Sequence, residues 1–101
     1  MEPAVKIRYD HEKLAELCRR WKVKRLAFFG SVLRDDFGPE SDVDVLYEFE
    51  PDAVIGWHIV SFENELSALF GGRKVDLVPF EHISRFIRKR VLREAQLAYA
   101  A

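Results

Sequence analysis

At 101 residues the chain has the length of one domain, since domains run to roughly 100–200 residues, and residues 1–101 are read as a single domain with no separate substrate-binding domain. Hydrophobic residues make up 49% and charged residues 33%, enough apolar material for one core and too much for a wholly disordered chain. Sixteen Lys and Arg nearly cancel seventeen Asp and Glu, and the net charge of -1 excludes a general nucleic-acid coat, which would be strongly basic.

Asp10 is placed to cap a helix whose apolar face is Leu14, Leu17, Cys18 and Trp21. Cys18 lies on that face and reads as a small buried residue; as the lone cysteine it excludes an internal disulfide and a Cys-based zinc site. RLAFFG, residues 25–30, is a short apolar run ending in glycine, and is expected to form a buried strand. Residues 31–41, SVLRDDFGPES, are polar and contain Gly38 and Pro39, which predicts a turn of helix followed by a loop. Residues 42–49 alternate: Val43, Val45, Tyr47 and Phe49 point one way, Asp42, Asp44, Leu46 and Glu48 the other. Pro51 ends this strand and opens a loop through Gly56.

A helix over 57–69 follows, with Ile59, Phe62, Leu66, Leu69 and Phe70 as its stripe and Gly71-Gly72 as its stop. KVDLVPF, residues 74–80, is a short strand closed by Pro79. The pattern then predicts a last helix from His82 to Tyr99, with Ile83, Phe86, Ile87, Val91, Ala95 and Ala98 facing inward. Alternating helices and strands predict an α/β layer, a small sheet with helices packed against it. No apolar run approaches the ~18 residues of a membrane span, and MEPAVKIRYD lacks the apolar core of a signal peptide, so a cytoplasmic protein is expected.

Asp42 and Asp44 leave the same face of their strand, with Cα atoms about 6.6–7 Å apart from the rise per residue. Two carboxylates on one face repel each other, and strands are poor in Asp. The chemical reason for such a pair is a hard divalent cation: Mg²⁺ takes one or two carboxylates plus substrate phosphates and water. The bland alternative is two solvated acids where the strand leaves its turn. Asp76, inside the apolar VDLV, adds a third acid on a second strand, where burial would be costly without a metal or a partner. A salt bridge to Arg73 or Arg34 is the structural alternative for it.

Gly30-Ser31 directly follows the first strand. Glycine permits close approach of a ligand, a helical start presents free N–H groups to an anion, and the serine adds a donor. Arg34, about one turn on, could reach the same anion or the acids. Ser31 is followed by ten residues, 32–41, and then Asp42-Val43-Asp44.

The pattern G-S-x₁₀-D-x-D with a later lone Asp on a strand resembles the signature of the polymerase-beta-like nucleotidyltransferase superfamily. GSVLRDDFGPESDVDVLYEF and GRKVDLV resemble its minimal, MNT-type branch, over about residues 24–99. The resemblance implies an α+β fold, a small mixed sheet flanked by helices. It implies that Gly30 and Ser31 hold a nucleoside triphosphate, that Asp42 and Asp44 bind two Mg²⁺ ions, with Mn²⁺ as a substitute, and that Asp76 completes the acidic triad and helps deprotonate the attacking hydroxyl. Members of this branch are often antitoxins paired with a HEPN-domain ribonuclease toxin, and active ones transfer AMP from ATP to a tyrosine of that toxin. The alternatives are a masking module without catalysis and a transferase acting on a small molecule, which the lack of a second domain disfavours.

Arg85, Arg88, Lys89, Arg90 and Arg93 give the last helix a basic run, either a solvated face or a contact for an acidic partner or for phosphates; RNA is disfavoured because aromatics do not interleave with the basic residues. His11, His58 and His82 lack ligand spacing. Trp57 is a candidate partner surface, and Phe62 is expected in the core.

Overall fold

The computed structural model of the chain describes residues 7–33, 38 and 41–101, the side chains of Ser31, Val32 and Ile87 excepted. In chain order the elements are α1 (His11–Arg20), β1 (Val23–Phe29), a 3-10 turn (Gly30–Leu33), β2 (Val43–Phe49), a second 3-10 turn (Gly56–His58), α2 (Ile59–Leu69), β3 (Val75–Pro79), a third 3-10 turn (Phe80–His82), α3 (Arg85–Glu94) and β4 (Gln96–Ala100). The Asp10 carboxylate caps α1 by accepting from the backbone N–H groups of Glu12 at 2.9 Å and Lys13 at 3.1 Å, while Arg19 and Arg20 complement the dipole at its other end. Asp10→Ala is therefore expected to lower stability by about 1 kcal/mol, read as a shift in the urea midpoint at unchanged slope.

The sheet has the order β3-β2-β1-β4. β1 pairs antiparallel with both β2 and β4, and β2 pairs parallel with β3. Each face of this mixed sheet has its own core. On one side Val43 and Val45 of β2, Leu26 and Phe28 of β1 and Val75 of β3 meet Leu14, Leu17 and Cys18 of α1 and Phe62 and Leu66 of α2. Burial pushes the Cys18 thiol up to about 12, against a smaller opposing effect of Arg19, so it stays a neutral core residue. On the other side Ala27, Leu46 and Ile83 are buried, with Phe29, Val78, Phe80, Val91 and Ala95 packed on them. The period-two alternation of residues 42–49 thus fills both faces, as a central strand requires.

α2 stops where expected: Gly71 and Gly72 adopt φ 76° and 87°, and the Gly72 N–H donates to the Ser67 carbonyl at 2.8 Å. The expected last helix is shorter. Ser84 caps it, it ends at Glu94, and Ala95 is already extended (φ -67°, ψ 143°). Residues 96–100 form β4 instead, with Leu26 opposite Tyr99 and Phe28 opposite Gln96. The competing principle is backbone satisfaction: without β4 the outer N–H and C=O groups of β1 would lack ladder partners. An Ala- and Leu-rich run has little intrinsic resistance to either state. Ala98 and Tyr99 consequently reach the core from a strand, against the α1/α2 side. Phe86, expected inward, is 91% exposed, whereas Ile83, Val91 and Ala95 do face the sheet. Among the described residues no helix is long and apolar enough to cross a membrane.

Candidate active site

The ends of three strands meet at one end of the sheet. Phe29, the last residue of β1, lies opposite Asp44 in the antiparallel ladder, and Gly30 follows it. On the other flank of β2, Asp44 is in register with Asp76 of β3. Register partners in neighbouring strands stand on the same face, with strands about 4.7–4.9 Å apart. Asp42 precedes Asp44 by two residues and so shares that face, which also carries Leu46 and Val78. The fold therefore places Asp44 beside Asp76 and against Gly30 at one sheet end, with Asp42 just ahead of β2. Ser31 is the second residue of the 3-10 turn that begins there. Arg34 lies outside the described residues.

Gly30 is constrained twice. Its φ is 73°, a region that L side chains rarely adopt, and a Cβ at this position would collide with the Asp44 carboxylate. The Asp44 carboxylate thus rests directly against the Gly30 backbone, so the group that the glycine admits here is a side chain of β2.

Asp42 and Asp44 are half-buried, but Asp76 is exposed on its edge strand. The expectation that Asp76 needs a metal or a partner to offset burial does not hold; its register with Asp44 is what places it beside that residue. Arg73, considered as an ion-pair partner for Asp76, donates from Nη1 to the backbone carbonyls of Gly38 at 2.9 Å and Ser41 at 3.4 Å. Sequence reasoning missed this role, because nothing in GRKVDLV shows that the turn before β2 will lie against it.

Among the described residues, Asp42, Asp44 and Asp76 included, no group of three or more His, Cys, Asp or Glu side chains is gathered to hold a metal ion. The hard oxygen donors of Asp44 and Asp76, in register on neighbouring strands, fit Mg²⁺, which is commonly held by one or two carboxylates and completed by substrate phosphate oxygens. Elsewhere, the basic residues of α3 are exposed, with Arg90 3.6 Å from Glu94 and Arg88 donating to the Ile83 carbonyl at 3.1 Å. Trp57 is 94% exposed while Phe62 is fully buried, so the two aromatics part as expected.

Residues 11–98 match the nucleotidyltransferase domain family. The chain belongs to this family. The chain is 39% identical over 84 residues to the protein adenylyltransferase MntA of Thermococcus cleftensis, covering 83% of this chain and 81% of that protein. A solved structure described as a minimal nucleotidyltransferase, so assigned provisionally, superposes with a TM-score of 0.69 at 34% identity, covering 84% of this chain and 85% of the other. The same fold occurs, with a TM-score of 0.59 at 19% identity, in the structure of the tri-AMPylated Shewanella oneidensis HEPN toxin in complex with its MNT antitoxin, covering 90% of this chain and 70% of that one.

Proposed function

We propose that this nucleotidyltransferase is a Mg²⁺-dependent protein adenylyltransferase, with Mn²⁺ as a substitute. It transfers AMP from ATP to a tyrosine of a HEPN-type ribonuclease toxin in the cytoplasm, and so acts as that toxin's antitoxin in a hetero-oligomer. The observation that carries the reading is the register of Asp44 with Asp76 beside Gly30 at one end of the sheet. The names of the similar proteins support the donor and the acceptor class.

Asp42 and Asp44, with Asp76, are the residues that would hold the metal, which when bound neutralises triphosphate charge and favours ionisation of a bound hydroxyl. Gly30 and Ser31, which open the 3-10 turn, are assigned with Arg34 to the phosphates of ATP. The transfer forms a bond between the tyrosine oxygen and the α-phosphorus and breaks the α–β phosphoanhydride, with pyrophosphate leaving. A tyrosine hydroxyl has a pKa of about 10, so it needs a base at neutral pH. Asp76, exposed at the rim of the triad, is the acceptor of that proton.

The test is intact mass spectrometry of a HEPN-type partner incubated with this chain, ATP and Mg²⁺. One or more AMP additions are expected with wild type, and none with the Asp42→Asn/Asp44→Asn double variant or with chelator. Suppression of the ribonuclease without added mass would favour the masking module. Neither binding nor modification would end the toxin–antitoxin reading.

A further inference from the structure

We infer that Arg73 is the positioning residue for Asp42, holding the turn from which the acidic strand starts; this rests on the proposed role of Asp42. Arg73 lies between the glycines that stop α2 and the first residue of β3. Its guanidinium Nη1 donates to the Gly38 carbonyl at 2.9 Å and, more weakly, to the Ser41 carbonyl at 3.4 Å. Gly38 and Ser41 are also bonded to each other: the Gly38 N–H donates to Ser41 Oγ at 3.0 Å, and the Ser41 N–H donates to the Gly38 carbonyl at 3.1 Å.

Asp42 comes next, and the Val43 N–H then donates to the Lys74 carbonyl at 2.9 Å. The backbone of Asp42 is thus bracketed. On one side is Arg73 Nη1, on the other the first bond linking β2 to the strand that carries Asp76. The brace is itself anchored, because the Arg73 carbonyl accepts from Ser67 Oγ at 2.6 Å, tying it to the last turns of α2. The Nη1 that reaches both carbonyls belongs to a rigid, planar, permanently charged group, whereas a lysine offers a mobile point charge. Orientation is what the site needs, since displacing a reacting group by about 1 Å can cost about 10²-fold in rate.

Three variants carry the test. Arg73→Met keeps the aliphatic stem and removes every donor, Arg73→Lys restores a charge and one donor group, and Ser67→Ala loosens the anchor. Hydrogen exchange of the Ser41 amide, followed by NMR without ligand, should accelerate about tenfold or more in Arg73→Met while β1 amides stay unchanged, as for local opening. With ATP saturating, the Mn²⁺ concentration at half-maximal binding should rise several-fold, and kcat should fall more than KM changes. Arg73→Lys should recover part of both effects, and Ser67→Ala should show the same pattern more weakly. Unchanged Ser41 exchange and unchanged Mn²⁺ dependence in Arg73→Met would overturn the inference. Should that variant not fold, Arg73→Lys decides by the same two readouts. Wild type that binds no Mn²⁺–ATP would instead defeat the proposed function, and the ligand-free exchange result would remain separately readable.

Discussion

Asp44→Asn is expected to leave the protein folded and to lower AMP transfer by about 10²–10³-fold or more, the scale for removing one preorganised electrostatic group from an active site. Asparagine keeps the shape of aspartate and removes only its charge. Asp44 stands in register with Asp76 and two residues from Asp42 on the same face, so the substitution also relieves carboxylate repulsion in the ligand-free protein. Thermal denaturation should therefore show an unchanged or slightly raised midpoint, while the Mg²⁺ dependence of turnover moves to higher concentration. Asp76→Asn provides the contrast: it should retain most nucleotide binding and lose turnover, as expected of a base at the rim. If Asp44→Asn transfers AMP at the wild-type rate, Asp44 is not part of the chemistry. If it unfolds, its carboxylate is a structural group and the assignment of the acidic face weakens.

The parts of the molecule that were legible in the sequence are those where one residue pattern serves one physical demand. Residues 42–49 alternate because β2 is central and must fill two cores, and the same alternation places Asp42 and Asp44 together. Asp10 and Gly71-Gly72 mark helix ends through local hydrogen bonding and backbone freedom, so no distant contact was needed to find them. What the sequence hid depends on partners remote in the chain. Residues 96–100 join the sheet because β1 has an outer edge to satisfy, which no window around Tyr99 reveals. Phe86 keeps the helical spacing of an inward residue but points to solvent, because α3 packs on the sheet through Ile83 at its entry, Val91 and Ala95. Asp76 was singled out for the wrong reason. It is exposed, and only the parallel pairing of β2 with β3 brings it beside Asp44. Arg73 belongs to the same class, since its acceptors lie more than thirty residues away.

Gly30→Ala should damage both fold and activity, although it adds only a methyl group. A non-glycine residue held at a φ of 73° costs about 1–3 kcal/mol in backbone strain alone. The new Cβ would also meet the Asp44 carboxylate, which must move away. The loss of stability should therefore reach at least the strain cost, seen as a lower urea midpoint, and AMP transfer should fall by about 10²-fold or more because a reacting carboxylate is displaced. Gly38→Ala is the internal comparison: a Cβ there meets nothing within 4 Å, and stability should change by no more than about 0.5 kcal/mol. The decisive observation is the double variant Gly30→Ala/Asp44→Asn. If the methyl acts by displacing the Asp44 carboxylate, adding it to Asp44→Asn should reduce the remaining activity far less than it reduces the wild type, a coupling between adjacent groups. Strict additivity of the two losses would mean that Gly30 serves the triphosphate independently of Asp44.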